Sequence, residues 1–355
     1  MMKKLKRDAE KFDVLELFAD MATEHGYDLN DPLAQEDFVS RVRGSIEASK
    51  KSKIAIFGKR TESLFAYVVG ALGKVVLLKQ EDSGDIYFSG EEMLAPDYRL
   101  TFHDNEQLLV EVKNCHHKHP ANKYSIKKSY FKKLKKYADL NGLDLKFGVY
   151  FSAWNLWALL SIESFEENKN SYTIDLARAM ACSEMADLGD CMIGTAPDLE
   201  LHLLADAAEA GEIDDSGQAL FITRDVKIYC AGNEVTDREE KKIAFYLIQF
   251  GTWLENDTEA IVSDNRLLGM KFVYSPESQE EPNFAIIGHL STMVTNGFRN
   301  HTVKNGDVVA LKLGLDPSVF KVLIPQDYKG QNLPLWRFVI QSNPDFKGLV
   351  CSEND

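Results

Sequence analysis

The stretch of sequence that decides the fold runs from Ala95 to Asn114 and reads APDYRLTFHDNEQLLVEVKN. Two runs of β-type residues flank a short polar turn, a pattern that predicts a β-hairpin. Because side chains alternate between the faces of a strand, Glu111 and Lys113 project on the same side. A turn centred on Asn105 would place Asp97 opposite Lys113, so that all three side chains share one face. A bulge or a one-residue slip would change this register.

Two carboxylates and a lysine gathered on one strand face point to metal chemistry. The carboxylates repel each other unless a cation sits between them. Mg²⁺ and Mn²⁺ prefer oxygen ligands and also bind phosphate oxygens. Such an ion polarises a phosphodiester and lowers the pKa of a bound water, and a neighbouring lysine orients that water or stabilises the transition state. The pattern is therefore typical of a metal-dependent nuclease.

The order Pro-Asp, spacer, Glu-x-Lys resembles the signature of the PD-(D/E)XK nuclease superfamily, which has the restriction-endonuclease-like fold. Members commonly carry one more acid on a helix before the first strand, and Glu62 stands at that place. The resemblance covers residues 51–165 and implies an α/β core with a central mixed β-sheet flanked by helices. It also implies that Asp97 and Glu111 bind Mg²⁺, with Mn²⁺ as a substitute. Glu62 would complete the metal shell directly or through water, and Lys113 would position the nucleophile.

Other interpretations of the same residues stay open. Asp85 also opens an apparent strand, residues 85–88, and rivals Asp97 as the metal ligand. A Glu and a Lys two positions apart on an exposed strand are often a solvated ion pair, and Pro-Asp is an ordinary turn opener. The main alternative function is a catalytically inactive nuclease-like fold that binds nucleic acid or a protein partner.

The charge distribution is compatible with a nucleic-acid partner despite a formal net charge of −14. Residues 160–220 hold 2 basic and 14 acidic residues and supply most of that charge. By contrast, residues 113–136 hold nine lysines and no acid. Phosphate binding depends on local charge, so this segment predicts a backbone contact, although a solvated helix face explains it equally well. The candidate nucleic-acid-binding residues are Lys118, Lys123, Lys127, Lys128 and Lys132.

The composition indicates a globular, cytoplasmic protein. The chain has 355 residues, of which 45% are hydrophobic and 27% charged, and no apolar run is long enough to span a membrane. The five cysteines lack paired spacing and read as free thiols in a reducing compartment. The nuclease resemblance is compatible with an endonuclease of restriction, defence or repair. A homodimer would place one site on each strand of duplex DNA.

The chain divides into four predicted parts. An N-terminal helical segment covers residues 1–50, the nuclease-like core covers 51–165, an acidic helical segment covers 166–215, and an α+β domain of unknown role covers 216–355. Within these parts, helices are predicted at 125–140, 174–188, 197–211 and 237–254. Strands are predicted in the C-terminal part near 220–230, 271–274, 284–287, 308–313 and 336–340.

Overall fold

The protein is a mixed α/β structure with several sheets. The computed structural model describes residues 2–3, 13–206, 208, 210–254, 257–276, 284–314, 316–317, 324–325 and 327–346. The helices of these residues are α1 (Asp13–His25), α2 (Pro32–Lys51), α3 (Lys53–Leu72), α4 (Lys128–Asn141), α5 (Leu176–Ala181), α6 (Arg238–Phe250) and α7 (Leu290–Thr302). Among them no helix is long and apolar enough to cross a membrane.

The strands form one central sheet and several smaller ones. In the first half of the chain they are β1 (Val75–Gln80), β2 (Tyr98–Phe102), β3 (Gln107–Cys115), β4 (Tyr124–Lys127), β5 (Asp144–Phe151), β6 (Leu156–Ser161), β7 (Glu166–Glu167) and β8 (Ser171–Ile174). In the second half they are β9 (Met192–Thr195), β10 (Leu199–Ala205), β11 (Gly211–Glu212), β12 (Thr223–Cys230), β13 (Asn233–Glu234), β14 (Asp257–Ser263), β15 (Arg266–Tyr274), β16 (Ala285–His289), β17 (Val303–Lys304), β18 (Asp307–Val308) and β19 (Leu335–Phe338).

The central sheet has five strands in the order β1-β2-β3-β5-β6. The first three strands are antiparallel neighbours, and β5 pairs antiparallel with β6. Between them β3 and β5 run parallel, joined by the crossover that contains α4. The sheet is therefore mixed, because a parallel pair needs a long crossover whereas the antiparallel pairs need only turns.

The β2–β3 hairpin forms where the sequence predicts it, but its register differs. Tyr98 pairs with Val110, so Asp97, just before β2, lies beside Glu111 and not opposite Lys113. The Phe102 N–H donates to the Glu106 carbonyl at 2.9 Å and closes a loop of three residues, 103–105, and Asn105 at its end has a φ of 69°. A residue in this left-handed conformation closes a three-residue hairpin loop. The turn is thus centred one residue before Asn105, which moves each cross-strand partner by two positions.

Helices cover both faces of the central sheet. On one face, buried residues of α3 and the sheet pack with α7; this core includes Phe65, Val68, Leu100, Val110 and Phe298. On the other face, α4 and α5 close a second core that includes Leu109, Leu134, Phe147 and Ala179. Alternate residues of β3, such as Leu109 and Val110, therefore point into different cores, as the period of a strand requires.

The residues after the central sheet form further β-rich layers. β11, β15, β10, β12 and β13 form a sheet in that order, with β14 also paired to β15, and β9 lies between β16 and β19. A third core lies here and includes Leu199, Ile228, Leu247, Ile287 and Met293. α7 reaches from this region into the core against α3, so it links the two parts of the chain.

Several predicted elements differ from the structure because pairing between distant segments overrides local propensity. Residues 197–211 were expected to be helical, but β10 occupies the middle of a sheet between β12 and β15. The helix expected at 125–140 begins only at Lys128, because residues 124–127 pair with β8. The helix expected at 174–188 is limited to α5 and a short 3₁₀ turn, Met185–Leu188.

Of the remaining predictions, some are confirmed by the structure and others are not. The strand expected at 85–88 is absent, since these described residues form an irregular exposed loop. The strand expected near 308–313 is reduced to the end of β18, whereas α6 and β12 confirm their expected places. The four described cysteines, all buried, are free thiols as predicted, and Cys351 lies outside the described residues.

Candidate functional site

Helix α3 carries one side of the site. Its first turn is capped by Ser52, whose hydroxyl accepts from the Ala55 N–H at 3.3 Å, and after Leu72 it is closed by Gly73 in the left-handed conformation. The apolar face buries Phe65 and its neighbours, so the helix is fixed on the sheet. Glu62 lies at the edge of this buried face, and its backbone carbonyl accepts from the Tyr98 hydroxyl at 3.1 Å.

Asp97 is anchored on both sides by backbone hydrogen bonds. Its carboxylate Oδ2 accepts from the Val112 N–H at 2.6 Å, and its carbonyl accepts from the Glu81 N–H at 3.0 Å. The residue is buried, which leaves its carboxylate in a fixed place beside β3. The Pro-Asp and Glu-x-Lys segments therefore meet through one side chain and one peptide group.

The environment of Asp97 raises the pKa of its carboxyl to about 7. Burial is the largest cause, and the neighbouring carboxylates of Glu111 and Glu62 add to it, while the Val112 N–H and Lys113 oppose it. A buried carboxyl whose pKa is raised by other carboxylates lies in a place that favours a cation. This is the electrostatic signature expected at a functional site.

Glu111, Lys113 and Tyr130 form a hydrogen-bonded group on the next strand and helix. The Lys113 ammonium and the Tyr130 hydroxyl both donate to Oε1 of Glu111. The ammonium also lies 3.1 Å from the Tyr130 hydroxyl and 4.8 Å from the centre of its ring. Burial alone would lower the pKa of Lys113, but Glu111 and Tyr130 outweigh it and raise that pKa above its ordinary value. Lys113 is therefore held protonated at neutral pH.

Tyr130 is a site residue that the sequence did not reveal as such. Its helical spacing predicts only that it faces the sheet, which is where the hydroxyl meets Glu111. Burial, followed by the charge of Glu111, raises the pKa of this phenol to about 12. The hydroxyl therefore acts as a donor throughout the neutral range.

Three carboxylates are close enough to share one metal ion. Ligand oxygens of Glu62, Asp82 and Asp97 all lie within 4.8 Å of one another. Oxygen donors of this kind suit Mg²⁺ or Mn²⁺, and burial, followed by the neighbouring carboxylates, raises the pKa of Asp97 in this group. The donor set therefore fits a hard divalent ion.

The composition of this group differs from the ligand set proposed from sequence. Glu62 and Asp97 are brought together as expected, but Asp82 is the third member, and Glu111 is engaged by Lys113 and Tyr130 instead. Asp82 follows β1 in a loop. Its place in the chain carries no motif, so only the fold brings it to the site.

Asp85, the rival to Asp97, lies away from this group. It is on an exposed loop, where its carboxylate accepts a hydrogen bond from the Tyr87 hydroxyl at 2.9 Å. Among the described residues, the carboxylate group that could hold a metal does not include it.

The five candidate nucleic-acid-binding lysines fall into two classes. Lys123 and Lys128 form ion pairs with Glu166 and Glu167 of β7. Lys118, Lys127 and Lys132 are exposed, and within the described part of the chain they form no ion pair. These three are the lysines free to meet a phosphate backbone.

No family model and no curated protein matches the chain. Among solved structures, it is similar to Hjc, a Holliday junction resolvase from Archaeoglobus fulgidus, at 13% sequence identity and a TM-score of 0.24. That match covers 32% of this chain and 87% of the resolvase chain. The function is therefore inferred from the arrangement of the site residues alone.

Proposed function

We propose that the chain is a divalent-metal-dependent endonuclease that hydrolyses DNA phosphodiester bonds on a restriction-endonuclease-like core. One observation carries the proposal. The buried Asp97 carboxylate accepts a hydrogen bond from the N–H of Val112, the residue between Glu111 and Lys113. The same carboxylate lies within 4.8 Å of the ligand oxygens of Glu62 and Asp82. Pro-Asp, Glu-x-Lys and the helical acid thus converge in one place.

The arrangement of elements around the site supports the same core. An acid-bearing helix precedes an antiparallel hairpin, and a crossover with a lysine-rich helix leads to a parallel strand. This is the order that the sequence resemblance implies. Restriction, defence and repair are all compatible with it.

Glu62, Asp82 and Asp97 would hold the metal ion, with Mg²⁺ as the expected ion and Mn²⁺ as its substitute. When bound, the ion polarises the scissile phosphate and lowers the pKa of a water. Asp97 gives up its proton on binding, since carboxylate ligands must be ionised. Glu111 stays bonded to Lys113 and Tyr130 and fixes the ammonium in place.

Lys113 has the charge and position to stabilise the negative charge that develops on the phosphoryl oxygens. Because its pKa is raised, it is a donor and does not abstract a proton from water. Lys118, Lys127 and Lys132 would contact the DNA backbone beside the site. Such contacts position the substrate and carry no sequence information.

Cleavage of supercoiled and linear DNA with Mg²⁺, Mn²⁺ or EDTA tests the proposal. We expect metal-dependent nicking by the wild type and a loss of about 10²–10³-fold in Asp97→Asn and Lys113→Met. Asp85→Asn is the matched control, since it removes a carboxylate outside the site, and should cut like the wild type. A wild type that neither cuts DNA nor binds Mn²⁺ would contradict the catalytic assignment. It would favour an inactive nuclease-like fold that binds nucleic acid or a protein partner.

A further inference from the structure

Arg60 is a buried cation without an acidic partner. Its side chain extends from α3 toward α7, where Nε and Nη2 donate to the Thr302 hydroxyl at 3.0 and 2.9 Å. Its guanidinium carbon lies 5.2 Å from the centre of the Phe298 ring. Arg60 is 6% exposed, and burial lowers the pKa of its guanidinium, an effect that no carboxylate of the described residues opposes. Because a buried charge without a counter-charge is costly, this position favours a bound anion.

One edge of the Arg60 guanidinium remains open. The Thr302 hydroxyl engages Nε and Nη2, whereas Nη1 makes no hydrogen bond within the described part of the chain. Nη1 is not among the fully buried polar atoms that lack a partner, so it reaches solvent. The planar, fixed donors of arginine match the oxygens of a phosphate. The open edge can therefore donate to a phosphate group that approaches from outside.

Arg299 brings a second positive charge to the same place. It lies on α7 one turn before Thr302, the residue that holds Arg60, so the two arginines are neighbours on this surface. Arg299 is exposed, and its charge adds to the effect of burial in lowering the pKa of Arg60. Two neighbouring cations repel each other, and an anion that contacts both replaces this repulsion with attraction.

The arginine pair lies near the carboxyl ends of the parallel strands β3 and β5. The charges of Arg299 and Arg60 both act on the Tyr150 hydroxyl, where they oppose the effect of burial on its pKa. Tyr150 pairs with Asn114, the residue that follows Lys113 on β3. In open α/β sheets, ligands bind at the carboxyl ends of the strands. The pair therefore approaches the end of the sheet that carries the candidate site.

The loop after β3 connects the pair to a lysine that is proposed to contact DNA. The His116 ring in this loop packs edge-on against Phe57, with ring centres 5.9 Å apart. Phe57 lies one turn before Arg60 on α3, and Lys118 follows His116 by two residues. Phosphates of one DNA strand recur about every 3.4 Å along the helix axis. A strand held at the candidate metal site can therefore present further phosphates to this region.

We propose that Arg60 and Arg299 together bind one phosphate of the DNA backbone beside the phosphate that is cleaved. They are positioning residues, which hold the substrate and take no part in the chemical step. The inference deepens the proposed function and rests on it, because the proposed function identifies the anion as DNA.

The salt dependence of DNA binding tests the inference without cleavage. Anisotropy measures the binding of a fluorescent duplex to the full chain in EDTA, from about 50 to 200 mM salt. The double variant Arg60→Met/Arg299→Gln should lose about 0.9 from the slope of log affinity against log salt, the value for one phosphate contact, and not twice that value. Each single variant should bind more weakly than the wild type. Arg43→Gln, which removes an exposed arginine from α2, is the control and should keep the wild-type slope.

Thermal unfolding tests the anion site separately from DNA. Inorganic phosphate should raise the Tm of the wild type above the value in chloride at equal ionic strength, because it supplies the missing counter-charge. This increase should disappear in Arg299→Gln. Arg299 is exposed, so its replacement leaves the core intact and keeps both measurements possible if Arg60→Met does not fold.

The outcomes separate this inference from the proposed function. An unchanged slope in the folded variants, together with metal-dependent cleavage by the wild type, overturns the phosphate site and leaves the nuclease proposal standing. The expected loss of slope in a protein that does not cut DNA supports the phosphate site on an inactive fold. Stabilisation by inorganic phosphate with an unchanged DNA slope assigns the pair to a free anion and contradicts the inference. A wild type that binds no DNA in EDTA also contradicts it, because these contacts need no metal.

Discussion

The Asp97 carboxylate accepts the N–H of Val112 at 2.6 Å, and this bond joins the end of one strand to the middle of its neighbour. Val112 lies between Glu111 and Lys113, so the peptide group that holds Asp97 belongs to the segment that carries the other two polar residues. A shift of β3 by one residue would move all of them together. The hydrogen bond therefore fixes the geometry of the site as well as the register of the hairpin.

Stability should fall as Asp97 ionises. Its carboxyl has a pKa of about 7 in the folded protein, against an ordinary value of 3.8 for an aspartate in the unfolded chain. Between these values the folded state binds more protons than the unfolded state, so stability decreases as pH rises from about 4 to 7. In Asp97→Asn this decrease should be reduced, and at pH 8 without metal the variant should be more stable than the wild type. Urea unfolding at pH 5 and pH 8 measures both effects, and an Asp97→Asn protein less stable than wild type at pH 8 would contradict the burial argument.

Metal binding should weaken below neutral pH. Mn²⁺ must displace the proton from Asp97. Burial and the carboxylates of Glu111 and Glu62 favour the protonated form of this carboxyl, whereas the Val112 N–H and Lys113 favour the ionised form. Affinity should therefore drop about tenfold for each pH unit below 7, the slope of one displaced proton. Calorimetric titration from pH 5.5 to 8 gives this slope. A flat profile would mean that Asp97 is already ionised in the metal-free protein.

Tyr130→Phe should lower the cleavage rate about tenfold without unfolding the protein. The change removes the hydroxyl that donates to Glu111 but keeps the ring beneath the Lys113 ammonium. A lost hydrogen bond to a charged group costs about 1.5–3 kcal/mol, part of which the remaining Lys113–Glu111 pair recovers. Tyr87→Phe is a suitable control, because its hydroxyl also bonds a carboxylate, that of Asp85, but on an exposed loop. Equal cleavage rates in the wild type and Tyr130→Phe would show that the Tyr130 hydroxyl does not contribute to the reaction.

Lys127→Ala and Lys132→Ala should weaken DNA binding uniformly across sequences. Each phosphate contact contributes about 0.9 to the slope of log affinity against log salt, so each variant should reduce the slope by about that amount. Lys135→Ala is the comparison, since Lys135 pairs with Asp139 on the same helix. Fluorescence anisotropy with EDTA present measures binding without cleavage. Unchanged slopes in both variants would favour the solvated helix face over a DNA-binding surface.

Phe65→Ala should destabilise the core beneath the site by about 3–5 kcal/mol, the usual cost of removing a buried phenyl ring. Phe65 is fully buried, and its ring lies 6.0 Å from that of Tyr98 and 5.5 Å from that of Trp157. Ile54→Ala on the same helix alters a side chain that is 82% exposed and should change stability by less than about 0.5 kcal/mol. Denaturant unfolding compares the two. Similar values for both would show that α3 is not anchored through Phe65.

The sequence by itself determined the hairpin and the helices whose signals are local. Alternating apolar residues around a polar turn specify β2 and β3, and the helix predicted at 237–254 is found as α6, with Asp237 as its N-cap. The hairpin pattern pointed to Asp97 and the family resemblance pointed to Glu62, and the structure brings these two carboxylates within reach of one another. Such signals involve residues near each other in the chain, so no knowledge of the fold is needed to detect them.

Only the tertiary structure decided what depends on distant segments. The left-handed Asn105 set the hairpin register, and pairing on both sides made residues 199–205 a strand instead of a helix. Likewise Asp82 and Tyr130 enter the site because a loop after β1 and the first turn of α4 meet the hairpin there. Strand pairing and side-chain convergence gain their free energy from contacts across the chain, which no local pattern of residues records.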